Sequence, residues 1–272
     1  MKTRRSTLVD MFDAASIRRP PAASPWTARR GLRVLLAASL MLASTAGCAR
    51  QGTDVNQGKA FENPDNAQFA DAVMRGDDAL ARELVAAGAN PNAEDAQGQP
   101  LLQWAMKQGD REAFRQLLAL GADPARGDRD GRTALHLAAM GKSQGWLEVL
   151  LDHGMSPDTP NTVTGATPRD DALRADSRDN IDLLLRAGAR LDVADRTGTT
   201  PLHQAALVKD SAAVLRFLEG GADPRATDRT GATFQDYLYK GDPKLLNAAT
   251  RRDLEKIDAW LLANGIAVTP RG

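Results

Sequence analysis

An all-α repeat solenoid of about six helix-turn-helix units is the fold class this chain predicts, on three observations. Gly88, Gly121, Gly154, Gly188 and Gly221 step by 33, 33, 34 and 33 positions, and Ala89, Ala122, Ala189 and Ala222 follow four of them. A fixed period of that size marks stacked units, none of which can bury its apolar face alone. Asp-x-x-Gly segments ending at Gly98, Gly131, Gly198 and Gly231 lie about ten residues beyond a glycine mark. Asp bonds to backbone ahead of it and Gly accepts positive φ, so each segment is a tight turn. Two short apolar stretches then follow, the second ending in a pair such as Leu84-Val85, Leu117-Leu118, Leu150-Leu151, Leu184-Leu185 or Phe217-Leu218.

The units differ in informative ways. The first, from about residue 66 to 92, starts with Phe69 to Val73 and exposes Asp71, Arg75, Asp77 and Asp78, the polar outer face expected of an N-terminal cap. The second opens with Pro100-Leu101-Leu102-Gln103 and Trp104. The third opens with Thr133-Ala134-Leu135-His136, and its helix–helix turn, residues 140–146, is less regular. The fourth has an extra residue in its turn, residues 161–165, and opens with Thr167-Pro168-Arg169-Asp170, with Arg169 at the place of Leu102, Leu135 and Leu202 in the second, third and fifth. A lone buried charge is costly, so Arg169 is expected in a local ion network with Asp170 or Asp171, or else in a partner-contact patch. The fifth unit, opening Thr200-Pro201-Leu202-His203, is the most regular. The sixth starts at Gly231, inserts residues 240–250 and regains helical periodicity over 251–262, with Leu254, Ile257, Leu261 and Trp260 on one stripe. That insertion is read as an elaborated C-terminal cap.

These T-P-L-H, A-A and L-L-x-x-G-A-D signatures resemble the ankyrin repeat, over residues 66–268. The resemblance implies hairpin-like fingers and a concave face, lined by finger tips and first helices, that binds another protein. The tip positions are Ala96, Gln97, Arg129, Asp130, Thr162, Val163, Arg196, Thr197, Arg229 and Thr230. First-helix positions facing the same way are Gln103, Lys107, Met140, Arg174 and Lys209. Arg129, Arg196 and Arg229 recur at one tip position, and Arg suits interfaces through its planar five-donor fork. Trp104 and Trp146 would serve as anchors if exposed. The resemblance also makes His136 and His203 structural braces of the turn. They stand 67 residues apart, two units, so they do not share a metal.

The charge balance is uneven. The chain carries 35 basic and 35 acidic residues. Residues 1–47 hold eight Lys/Arg against two acids, leaving 27 basic and 33 acidic residues beyond, a net of −6. A mildly acidic domain with 4% aromatics lacks the basic face and stacking platforms of nucleic-acid binders. Arg29, Arg30 and Arg33 precede the apolar run from Val34 to Ala43, and small residues lead to the single cysteine, Cys48. This order reads as a secretory signal. Ala46-Gly47-Cys48 resembles the lipobox of bacterial lipoproteins, with Thr45 where that family usually has leucine, and implies lipid attachment at Cys48. The chain is thus expected to divide into an extension and signal (1–47), a polar tether (48–65) and the repeat domain (66–268). Ala49 favours the outer membrane, the domain facing the periplasm; without lipid it would be soluble there.

No H-E-x-x-H, Gly-rich phosphate loop or G-x-S-x-G is present, so no catalytic, metal or cofactor residues are assigned. The expectation is a non-catalytic, monomeric binding module tethered in the cell envelope, in one concrete form an immunity protein that neutralises a secreted effector. The alternatives are a chaperone-like scaffold supporting stress defence and an unrecognised hydrolase.

Overall fold

In the computed structural model the described residues are 61, 63–141, 144–242 and 245–271, with the side chain of Gln144 excluded. They lie in one compact unit, residues 52–272. The signal segment, Cys48 and most of the expected tether fall outside them. Among the described residues twelve helices pair into six units: α1 (Pro64–Arg75) with α2 (Asp78–Ala86), α3 (Leu101–Lys107) with α4 (Arg111–Ala119), α5 (Ala134–Met140) with α6 (Gln144–Asp152), α7 (Pro168–Arg174) with α8 (Arg178–Arg186), α9 (Pro201–Leu207) with α10 (Ser211–Glu219), and α11 (Phe234–Leu238) with α12 (Ala248–Ala263). The first helices contact one another in series from α3 to α11. The all-α repeat solenoid expected from the period is the observed architecture.

Local chemistry explains the boundaries. At the glycine marks the chain leaves the second helix in a Schellman turn: Gly121 N–H donates to Leu118 and Ala122 N–H to Leu117, with Gly121 at φ 89°. An Asp carboxylate collects the turn at Asp95, Asp128, Asp195 and Asp228, and the Asn161 amide oxygen does so before the fourth unit, accepting from Val163 and Thr164 N–H. Asp128 Oδ1 accepts from the N–H groups of Asp130 and Arg132, and Asp195 Oδ1 from Thr197 and Thr199. The fingers are hairpin turns, and among the described residues the one strand-like feature is an isolated bridge between Glu94 and Pro100. Gly131 must be glycine twice over: its φ is 76°, and a Cβ would meet the Val163 nitrogen of the next finger at 2.6 Å.

First helices begin at Thr caps. Thr133 and Thr200 form capping boxes with His136 and His203, whereas Thr167 and Thr233 form theirs with Asp170 and Asp236. A continuous core of small and aliphatic side chains joins the units, with Phe69, Phe114, Phe217 and Phe234 fully buried in it.

Three boundaries differ from the sequence reading. Helix α1 starts at Pro64, capped by Asn63, and Phe61 is buried with its ring 6.3 Å from that of Trp104, so structure begins inside the expected tether. Helix α12 starts at Ala248, taking in the end of the expected insertion. Beyond it, Gln235 donates to the carbonyl of Ala267 and accepts from the N–H of Thr269, strapping the C-terminal segment to α11. The irregular third turn also has a cause. Helix α5 ends at Met140 with Gly141 extended, and the buried Asn180 of α8 caps it, donating through Nδ2 to the carbonyls of Ala138, Ala139 and Gly141 at 3.3, 2.9 and 2.6 Å.

Candidate functional site

The predicted tip residues are exposed, and they also hold the fingers together. Arg129 donates from Nη2 to the Ala96 carbonyl of the preceding finger at 2.6 Å, and Arg196 donates to the Thr162 carbonyl at 2.7 Å. Backbone bonds run alongside, from Thr162 to Gly131, Arg196 to Thr164 and Arg229 to Thr197. Two of the three recurring tip arginines therefore serve first as ties between fingers. Gln97, Asp130, Thr197 and Thr230 sit on the same edge, their N–H groups held by the turn aspartates, while Asp130 also pairs with Arg132 at 3.2 Å.

The first helices divide into buried and exposed positions. Gln103 corrects the sequence reading: it is 1% exposed, so it offers no surface to a partner. Its Nε2 donates to the carbonyls of Arg126 and Arg132 at 3.1 and 2.8 Å. Gln103 thus ties its unit to the next, as His136 and His203 do through Nε2 to Ala166 (3.0 Å) and Ala232 (3.1 Å). Lys107, Met140 and Arg174 end their helices exposed. Lys107 donates to Gln99, and Arg174 pairs with the buried Asp171 at 2.5 Å. Lys209 caps α11 by donating to the carbonyls of Tyr237, Leu238 and Lys240. Trp104 and Trp146 are half-buried against Phe61 and Phe114. Sequence reasoning missed Leu207 and Val208, exposed apolar residues at the end of α9. Their register with Met140 was the available signal.

The fourth unit departs from expectation. Arg169 is 0% exposed, donates through Nη1 to the Arg190 carbonyl and lies 5.9 Å over the Phe217 ring. Its Nε and Nη2 have no hydrogen-bond partner. No hydrogen-bonded ion pair with Asp170 or Asp171 forms: Asp170 uses Oδ2 as a cap and leaves Oδ1 without a partner, and Asp171 turns to Arg174. Asp170 Oδ2 accepts from Thr167 N–H and Oγ at 2.7 and 3.1 Å, and Asp171 pairs with Arg174. Burial lowers the Arg169 pKa, with Asp170, Asp158 and Asp192 opposing through their charge, and burial raises Asp170.

His136 is a second buried titratable group. Thr133 N–H donates to Nδ1 at 3.2 Å, so Nε2 carries the proton and donates to Ala166. Burial lowers its pKa below 6.5, against the bond to Ala166 and the charges of Asp171, Asp170 and Asp128. The unfolded chain then binds this proton more readily, and the stability His136 contributes falls as pH drops through 6.5 toward the lowered value. Burial raises Asp171, so that carboxyl acts in the opposite sense as pH rises from 3.8. His136→Gln, copying Gln103, is expected to flatten the stability profile just below pH 6.5 in denaturant titrations; an unchanged slope would contradict this.

Among the described residues no cluster of three or more His, Cys, Asp or Glu could hold a metal, and no helix is long and apolar enough to cross a membrane. A cavity of about 320 Å³ lies beside the C-terminal insertion, between Leu238, Tyr239, Leu246 and Leu254. Near it, Tyr239 donates to Asp258 at 2.6 Å, and Asp258 also takes Arg271.

A profile of three ankyrin repeats matches residues 69–161, and a single-repeat profile matches 197–229. The unmatched span between them holds the unit carrying Arg169. Protein PhlB of Serratia liquefaciens is 37% identical over 186 residues, covering 66% of this chain and 80% of PhlB. Cyclin-dependent kinase inhibitor 2A of Monodelphis domestica is 38% identical, over 59% of this chain and 74% of its own. The crystal structure of the ankyrin repeat domain of Bcl-3, a member of the IkappaB protein family, superposes with a TM-score of 0.57 at 26% identity, over 73% of this chain and 83% of that one. The period, the capped turns, the finger ties and these matches agree: the chain belongs to the ankyrin-repeat family.

Proposed function

We propose that the chain is a non-catalytic binding module, tethered in the bacterial cell envelope, that silences one enzyme by gripping it, as an immunity protein does a secreted effector. The observation that carries this is the finger edge. Its tips are fixed to one another by side-chain and backbone bonds before any partner arrives. A surface ordered in advance loses little entropy on binding, so contact area converts more fully into affinity. Among the relatives, the kinase inhibitor is named for silencing an enzyme. Envelope tethering rests on the signal-like segment and Cys48, and the address would be the outer membrane, facing the periplasm.

The test is affinity capture from envelope extract with the full-length chain, followed by assay of the purified partner with the chain added one-to-one. The expected result is a single stoichiometric enzyme whose activity is lost. A partner that stays fully active in the complex would refute inhibition, and the lack of any stoichiometric partner would refute the module. Palmitate labelling that disappears in Cys48→Ser supports lipid attachment; labelling that persists, or never occurs, opposes it.

A further inference from the structure

The exposed ends of the first helices share one register. Lys107, Met140, Arg174 and Leu207 are the last residues of α3, α5, α7 and α9, at steps of 33, 34 and 33. A further 33 reaches Lys240, two residues past the end of α11. All five side chains are exposed, Met140 at 40% and Leu207 at 45%. Their chemistry alternates along the row: cation, apolar, cation, apolar, cation. Val208 widens the second apolar step. Lys107 is bonded to neutral Gln99, which leaves its charge uncompensated, whereas Arg174 is partly neutralised by Asp171 and is the weaker cation of the three. The tip arginines lie exposed on the neighbouring finger edge. The row itself holds three cations and no acid, whereas the chain beyond residue 47 is acidic by six charges.

The spacing selects the shape of an occupant. Packed helices lie about 8–10 Å apart, so successive positions of the row are separated by about that distance. A helix laid across it advances about 1.5 Å per residue and covers a step at the upper end of that range in about seven residues. Residues seven apart stay on one face, drifting only about 20° per heptad. An extended chain would cover the step in about three residues, and that odd number puts successive contacts on opposite faces.

We propose that the row of first-helix ends holds an acidic amphipathic helix of a partner protein, whose carboxylate and apolar side chains alternate at seven-residue spacing to meet Lys107, Met140, Arg174, Leu207 and Lys240. This rests on the binding-module reading above and names its partner's chemistry.

The test uses the full-length chain carrying Cys48→Ser, with two fluorescein-labelled helical peptides of identical composition. One alternates Glu and Leu every seven residues on a neutral background. The other scatters the same residues around the helix. Fluorescence anisotropy should show the in-register peptide binding about tenfold more tightly or better, a difference set by complementary charge and apolar contact. Lys107→Glu with Lys240→Glu, both exposed positions, should abolish that preference and gain binding of an in-register Lys/Leu peptide, with an unchanged circular-dichroism melt. Equal affinity for the two peptides would overturn the proposal. So would tighter binding to phosphatidylglycerol vesicles or duplex DNA than to the in-register peptide. If the chain captures a native enzyme yet treats the two peptides alike, the module stands and only the helix row falls.

Discussion

Arg169→Leu is expected to stabilise the protein by about 1–4 kcal/mol, the range found when buried charges are replaced by well-packed apolar side chains. The guanidinium lies wholly inside the seam between the fourth and fifth units, with one backbone acceptor and two nitrogens unserved. Its contact with the Phe217 ring returns only part of the desolvation cost. Leucine is what Leu135 and Leu202 supply at the corresponding places. It would pack on Phe217, but it leaves the Arg190 carbonyl to find water and takes from the buried Asp170 the positive charge that most opposes its burial, which holds the gain to the lower end of that range. In a stacked array each seam couples its neighbours, so a weak one limits cooperativity. Thermal unfolding should shift upward by about 2–4 °C per kcal/mol in a domain of this size. A fall in the midpoint would mean that Arg169 is better satisfied than its geometry shows.

The opposite effect is expected at Asn180. Its amide closes the end of α5 by reaching three carbonyls from α8, one unit away. Asn180→Ala takes its donor from the Ala139 carbonyl, while Ala138 keeps the Gly141 N–H and Gly141 keeps a long bond from Ser177 Oγ, and an unsatisfied buried group costs about 1–3 kcal/mol. Asn180→Asp should be worse than alanine, because a carboxylate would face the same carbonyls with lone pairs instead of protons. Urea titration reads both as reduced midpoints. A tolerant Asn180→Asp would refute the capping role.

The period and the punctuation made the architecture legible. Aspartate, glycine, threonine and histidine recur at their stations because each performs a backbone task, and such tasks leave a local signature. What escaped the sequence depends on contacts between units. Gln103 aligned with His136 and His203, yet its place among candidate contacts came from its polarity; burial follows from carbonyls 23 and 29 residues away. Asn180 carries no local motif at all, since its partners lie 39 to 42 residues upstream. The arginine tips were visible as a repeat, but polarity alone does not distinguish a tie between fingers from a hand held out to a partner. Arg169 was recognised as an intruder, and its charged neighbours suggested pairs that capping and Arg174 had already claimed.

Finger tips and first-helix ends are proposed to form one preordered face for another protein. Amide hydrogen exchange of the chain alone and bound to its captured partner tests this most directly. Exchange should slow at the fingers around Gln97, Asp130 and Thr197 and at the helix ends near Lys107, Met140, Arg174 and Leu207, while α2, α4, α6, α8 and α10 stay unchanged. Slowing confined to those second helices, or to the cavity beside the C-terminal insertion, would contradict it.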